Sequence, residues 1–195
     1  MAAMASHESR APEPYVLDDP ARLKALAHPM RRRMLRHLSL HGPATSTTLG
    51  ELLGAKTGTT SYHLRQLEKY GFIEEIPERS AGRERWWRAS PERRDLRLPD
   101  PDQLPPEDRA ALLELHRVNL AEDLELLSHG LPAAYGRDPA WVKASRGLVR
   151  MTEAEFAEFF EAYMALLMRY SRSAEDAPPG SRPVYARLYA FPAEG

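Results

Sequence analysis

Between residues 20 and 71, apolar positions recur every three or four residues and are broken by glycine and proline, a pattern that predicts a run of short helices. Asp18 and Asp19 precede Pro20, offering a cap acceptor and then a preset first helical dihedral. Leu23, Leu26 and Ala27 follow at helical spacing, and this first helix is expected to end near His28, before Pro29. A second helix carries Met34, Leu35 and Leu38 and stops at His41-Gly42-Pro43, where glycine and proline both oppose continuation. Thr45 can cap a third helix that buries Leu49, Leu52 and Leu53, with Gly54 placed to end it in a left-handed turn. Thr57 is a candidate cap for a fourth helix, in which Thr60, Leu64 and Leu67 share one face. Two short helices joined by a tight glycine-containing turn make a helix-turn-helix.

The periodicity changes after Gly71. Phe72 to Ile76 reads as a strand, Pro77 to Glu84 as a turn, and Arg85 to Ala89 as an aromatic-rich return strand, so a hairpin wing follows the fourth helix. Ser90 to Pro106 holds five prolines without an apolar period and is expected to be a linker. Residues 107–129 then form a long helix with Leu113, Leu120, Leu124 and Leu127 spread round it, which predicts burial on more than one side. A short helix at Asp138-Pro139 holds Trp141, Leu148 to Met151 reads as a strand, and Thr152 with Glu155 forms a capping box for a further helix. Pro183 to Phe191 alternates in the manner of a strand with two different faces. The expected organisation is a disordered arm at 1–14, a winged helix-turn-helix domain at 15–95, a linker at 96–106 and a second domain at 107–195. The fold class is α+β: an N-terminal winged helix-turn-helix followed by a helical or α+β dimerisation or effector domain.

Composition narrows the functional classes. The chain has 195 residues and no cysteine, which removes disulfides, thiolate metal sites and cysteine nucleophiles. No run approaches the roughly 18–20 apolar residues that span a bilayer, and the first residues lack a secretory pattern, so a cytoplasmic protein is expected. The net charge of −1 hides an asymmetry: residues 1–97 carry 17 Lys and Arg against 12 Asp and Glu, whereas residues 98–195 carry 10 against 16. A polyanion would meet the first half.

The fourth helix carries the candidate chemistry. Opposite its apolar face lie Thr59, Tyr62, Arg65, Gln66 and Lys69, with Ser61 and His63 at the flanks. Hydroxyls and Gln can read base edges, Arg can bond guanine through two donors, and Tyr and Thr can touch thymine methyls, so this face suits the major groove. Thr57 and Thr60 on the same helix, Arg79, Arg83 and Arg85 around the hairpin tip, and Arg31 at the start of the second helix complete the expected DNA-contacting set. Trp86 and Trp87 are expected to pack the wing.

Asp19 through Ala89 resembles the winged-helix domain of the ArsR-type bacterial transcriptional regulators. Leu26-Ala27-His28-Pro29-Met30-Arg31-Arg32-Arg33-Met34-Leu35 is similar to their first two helices. Thr59 through Ile73 resembles their recognition helix and following strand, and Gly82-Arg83-Glu84-Arg85-Trp86-Trp87-Arg88 their wing. The resemblance covers about 70 residues and implies double-stranded DNA as partner, a homodimer and an inverted-repeat operator, with a repressor as the expected role. It departs from the metal-sensing members, because the helix from Thr45 to Leu53 has neither thiol nor histidine, and His116 and His129 do not fall on adjacent turns. No metal site and no cofactor is therefore expected. The second domain exceeds the single C-terminal helix of the minimal family, and Trp141, Phe156, Phe160, Tyr163 and Tyr189 are candidates to line a pocket for a small apolar effector. Scattered Ser, His and Asp residues, without a Gly-rich phosphate loop or a His-x-x-x-His pair, argue against an enzyme. The competing reading is a winged-helix protein–protein module, and Arg65, Lys69 and the wing arginines oppose it.

Overall fold

The computed structural model describes residues 15–17, 19–79, 84–90, 96–173 and 175–193; the arm expected at 1–14 and Arg83 lie outside them. Asp19 caps helix α1 (Pro20–Ala27) by accepting from the Ala21 amide at 2.8 Å. Pro29 ends that helix and opens α2 (Pro29–His41), whose amide at Met30 donates to the His28 ring Nδ1. Strand β2 (Ala44–Thr45) leads into α3 (Ser46–Leu53), capped by the Thr45 hydroxyl and ended by Gly54 at φ 63°. Helix α4 (Thr57–Lys69) starts one residue earlier than expected: Lys56 occupies the cap position without a side-chain hydrogen bond, and Thr57 is already helical. Gly71, at φ 72°, turns the chain into β3 (Ile73–Glu75), which returns as β4 (Trp86–Ala89).

The sheet is antiparallel in the order β2-β4-β3, with Thr45 opposite Trp86 and Glu75 opposite Trp87. The strand pair therefore hangs on the start of α3. Trp87 is 3% exposed and Trp86 half-buried, so the wing is anchored through the first of them. One continuous core joins Leu23, Met34, Leu38, Leu49, Leu64, Leu67, Phe72, Ile73 and Trp87. Leu17 and Leu104 extend it, and Ala111, Leu112 and Leu115 of α5 (Pro106–Glu125) close it against α1.

That closure runs through the segment expected as a linker. Residues 96–106 hold β5 (Leu96–Arg97), parallel to β1 (Tyr15–Val16), then a 3-10 turn at Pro101–Gln103 and the buried Leu104. Arg32 adds a second tie between α2 and α5 through both Glu122 oxygens, at 2.9 and 2.6 Å, and through Asn119. It is neither solvated nor free for phosphate.

The long helix continues past Glu125 as a π turn at Leu126–Gly130 and as α6 (Leu131–Arg137). Pro132 lacks the amide that would bond four residues back, and the loosened turn precedes it. Of the leucines expected to be buried on a second side, Leu113, Leu120, Leu124 and Leu127 are each more than half exposed in the single chain. Thr152 and Glu155 form the expected capping box at the start of α7 (Glu153–Tyr170), a helix that buries only Met164. Leu148 to Met151 and Pro183 to Phe191, both expected as strands, are irregular and largely exposed. A strand needs a ladder, and among the described residues neither segment lies in one.

Gly50 of α3 packs tightly against the α3–α4 turn and the start of α4. A Cβ there would sit 2.9 Å from the Ala55 carbonyl oxygen and 3.5 Å from the Thr60 hydroxyl. Gly50→Ala should thus destabilise the protein by about 1–3 kcal/mol through overpacking, despite alanine's better helix propensity. A urea unfolding curve measures it; a gain in stability would show that the two helices can separate freely.

Candidate nucleic-acid interface

Helix α4 is held by its apolar side and leaves the other in water. Thr60, Leu64 and Leu67 are fully buried, while Thr57, Thr59, Tyr62, Arg65 and Lys69 are exposed and Ser61 and Gln66 half-buried. Tyr62 is 56% exposed, a large aromatic surface at the middle of the outer face. Two members of the expected DNA-contacting set are placed otherwise. Thr60 donates to the carbonyls of Lys56 and Thr57 at 3.2 and 3.0 Å and accepts from Ser46 at 3.1 Å, so its hydroxyl is spent on the turn between the helices. His63 is 7% exposed, covered by the His28 ring. A helix wheel puts it at the flank, and the α1–α2 junction closes over that flank.

Around the start of α4 a cleft of about 240 Å³ is lined by Thr45, Ser46, Thr47, Thr57, Ser61, Glu84 and Arg85. It brings the first turns of α3 and α4 against the wing. Ser46 bridges the two helices by its bonds to Ser61 at 2.8 Å and to the Thr57 carbonyl at 3.2 Å. First-turn amides, clustered hydroxyls and one guanidinium are groups that accommodate a phosphate oxygen. Ser46 and Thr47 were not among the expected contacts, although the Thr45-Ser46-Thr47-Thr48 run is a visible signal for such a position.

The arginines are unequal. Arg85 is exposed and pairs with Glu75 at 3.4 Å, an ion pair that solvent screens. Arg79 pairs with Glu175 at 3.1 Å, and the same carboxylate lies 3.9 Å from Arg88, which also holds Glu74. Arg31 is tied back to the Lys24 carbonyl at 3.0 Å and half-buried. A phosphate approaching Arg79 must displace a carboxylate first.

The five aromatic candidates for an effector pocket lie on three segments. Trp141 sits on a 3-10 turn (Pro139–Trp141), Phe156, Phe160 and Tyr163 on α7, and Tyr189 on the C-terminal segment; all except the half-buried Tyr163 are at least 39% exposed. Arg182 lies over the Trp141 ring at 5.4 Å. Burial of its hydroxyl end and the bond to Asp123 push the Tyr189 phenol up to about 12, and Arg187 satisfies the same carboxylate at 2.9 Å. Among the described residues no three His, Asp or Glu side chains are arranged to hold a metal ion, and no helix is long and apolar enough to cross a membrane.

Residues 26–76, from α1 to the end of the first wing strand, match the family model described as a helix-turn-helix domain. This segment is a helix-turn-helix domain, to which the β3–β4 hairpin adds a wing. Together with the motifs from Leu26 to Leu35, Thr59 to Ile73 and Gly82 to Arg88, it is similar to the DNA-binding domains of ArsR-type regulators. No curated protein matches the chain. Among solved structures, the homodimeric winged helix-turn-helix DNA-binding domain of a possible ArsR-family transcriptional regulator from Mycobacterium bovis is 25% identical. That match covers 66% of this chain and 96% of the other, with a TM-score of 0.35. A crystallised fragment of a possible transcriptional regulatory protein from Mycobacterium bovis is also 25% identical, covering 53% and 89% with a TM-score of 0.33. Reduced HlyU from Vibrio cholerae is 21% identical, covering 50% and 84% with a TM-score of 0.31.

Proposed function

We propose that the protein is a transcriptional regulator that binds an inverted-repeat operator as a homodimer and represses from it. The observation that carries this reading is the outer face of α4, where Thr59, Tyr62, Arg65 and Lys69 are exposed and Gln66 half-buried while the opposite side is locked in the core. The hydroxyl cleft and Arg85 lie beside it, where the flanking backbone of a duplex would run. Residues 15–95 do the reading in this proposal, and residues 107–195 dimerise and respond to a small apolar effector. Support for the dimer comes from the outward leucines of α5 and the π turn that continues it: Leu113, Leu120, Leu124 and Leu127 follow intervals of seven, four and three. Two recognition helices would then stand about 34 Å apart, one turn of DNA. No enzymatic role enters the proposal.

Selection of bound duplexes from a random library by the purified full chain tests it. Recovery of a two-fold symmetric site is the expected result. Recovery of unrelated sequences, or sedimentation as a monomer at micromolar concentration, overturns the operator or the dimer respectively, and the first would make the winged helix a protein-binding module.

A further inference from the structure

Three aromatic rings form a ladder from the α1–α2 junction to the outer face of α4. The His28 and His63 ring centroids are 4.5 Å apart, tilted by 45°, and Tyr62 meets His63 edge-on at 5.2 Å and 70°. We propose that His28 and His63, as neutral rings, position Tyr62 for base reading, and that protonation of either ring releases operator specificity. The proposal rests on the reading of α4 given above.

The chemistry of both rings requires the neutral form. His28 caps α2, with its Nδ1 accepting from the Met30 amide at 3.2 Å, so that nitrogen must be unprotonated and the proton of the neutral ring lies on Nε2. A proton added at Nδ1 would remove the cap. His63 is 7% exposed, and its Nδ1 is buried without a hydrogen-bond partner, so an imidazolium there would have no acceptor on that side. The charges bearing on the pair are positive: Arg31 from the first turn of α2 acts on both rings, and His28 acts on His63 across the contact. Tyr62 and Tyr70 favour the charged form of the Arg31 guanidinium in turn, against its burial. Burial first, and these positive neighbours second, hold both histidines below their ordinary value of 6.5.

The sign of the pH dependence follows. A base whose folded-state pKa is depressed contributes full stability above its unfolded value and loses it as pH falls from about 6.5 through the lower folded value. The same protons open the ladder at Tyr62. Other groups that gain charge as the pH falls, including His37 on α2, attract any duplex alike, so the ratio of two duplexes isolates the ladder.

The experiment compares the full chain with His28→Asn/His63→Gln, in which Asn keeps a cap acceptor and neither position titrates near neutrality. Binding is measured by anisotropy on the selected duplex and on a shuffled one, from about pH 7.5 to 5.5 at constant ionic strength. The wild-type preference should fall at least about fivefold over this range, since each linked proton can change it by up to tenfold per pH unit. The variant should begin with a lower preference and vary less than about twofold. A flat wild-type profile, or an unchanged slope in the variant, overturns the proposal. Histidine ring titration by NMR on the DNA-free chain supplies a second measurement, with both midpoints expected below 6.5. A midpoint at or above that value removes the ladder. If Tyr62→Ala leaves operator preference intact while the ring midpoints stay low, the reading of α4 has failed instead.

Discussion

Leu64→Ala should lower the unfolding free energy by about 2–5 kcal/mol, the largest loss expected from a single truncation in the winged-helix half. Leu64 is fully buried and lies between Thr60 and Leu67 on the one face of α4 that touches the core. Its removal leaves a void that Leu49, Met34 and Trp87 cannot fill by small shifts, because each is itself fixed in the same cluster. Leu52→Ala is the control. That leucine belongs to the same helix-turn-helix but is 56% exposed, so its truncation should change stability by less than about 0.5 kcal/mol. Urea denaturation of the two variants, with unchanged m-values, measures the difference; equal losses would mean that α3 buries both of its faces in solution.

Tyr62→Ala and Arg65→Ala should each cost about 1–3 kcal/mol on the selected operator and much less on random DNA. Both side chains stand on the exposed face of α4. Arg85→Ala should behave differently, since a guanidinium on the wing beside the hydroxyl cleft meets the backbone rather than base edges. It should weaken operator and random DNA together and reduce the salt slope by about one counterion. Titrations at three or more salt concentrations separate the two classes. Specificity left unchanged by substitution at Thr59, Tyr62 and Arg65 together, in a folded protein, would sink the recognition-helix assignment.

The order of helices and the wing were legible because the local signals agree with one another. Asp19 before Pro20, Thr45 before α3, Gly54 and Gly71 in left-handed turns, and Thr152 with Glu155 all operate within a few residues. Their physics is local, so periodicity and caps suffice. Leu52 shows where that stops. At about 100° per residue, Leu49, Gly50 and Leu53 centre the buried arc away from Leu52, but only if Gly50 is known to be a contact. It is one because the Ala55 carbonyl and Thr60 press against it.

The sequence by itself determined the helical spacing, the hairpin, the polar outer face of α4 and the charge asymmetry between the halves, since each depends on neighbours in the chain. Tertiary structure decided which side chains on that face remain available. It buried His63 beneath His28, engaged the Thr60 hydroxyl with the α3–α4 turn and directed Arg32 to Glu122. It also brought Leu104 and the first turns of α5 into the core, and left Leu148 to Met151 and Pro183 to Phe191 without a ladder. Contacts between residues distant in the chain produce these outcomes: alternation can mark a segment as able to pair, but only a second strand at hydrogen-bonding distance makes it a sheet.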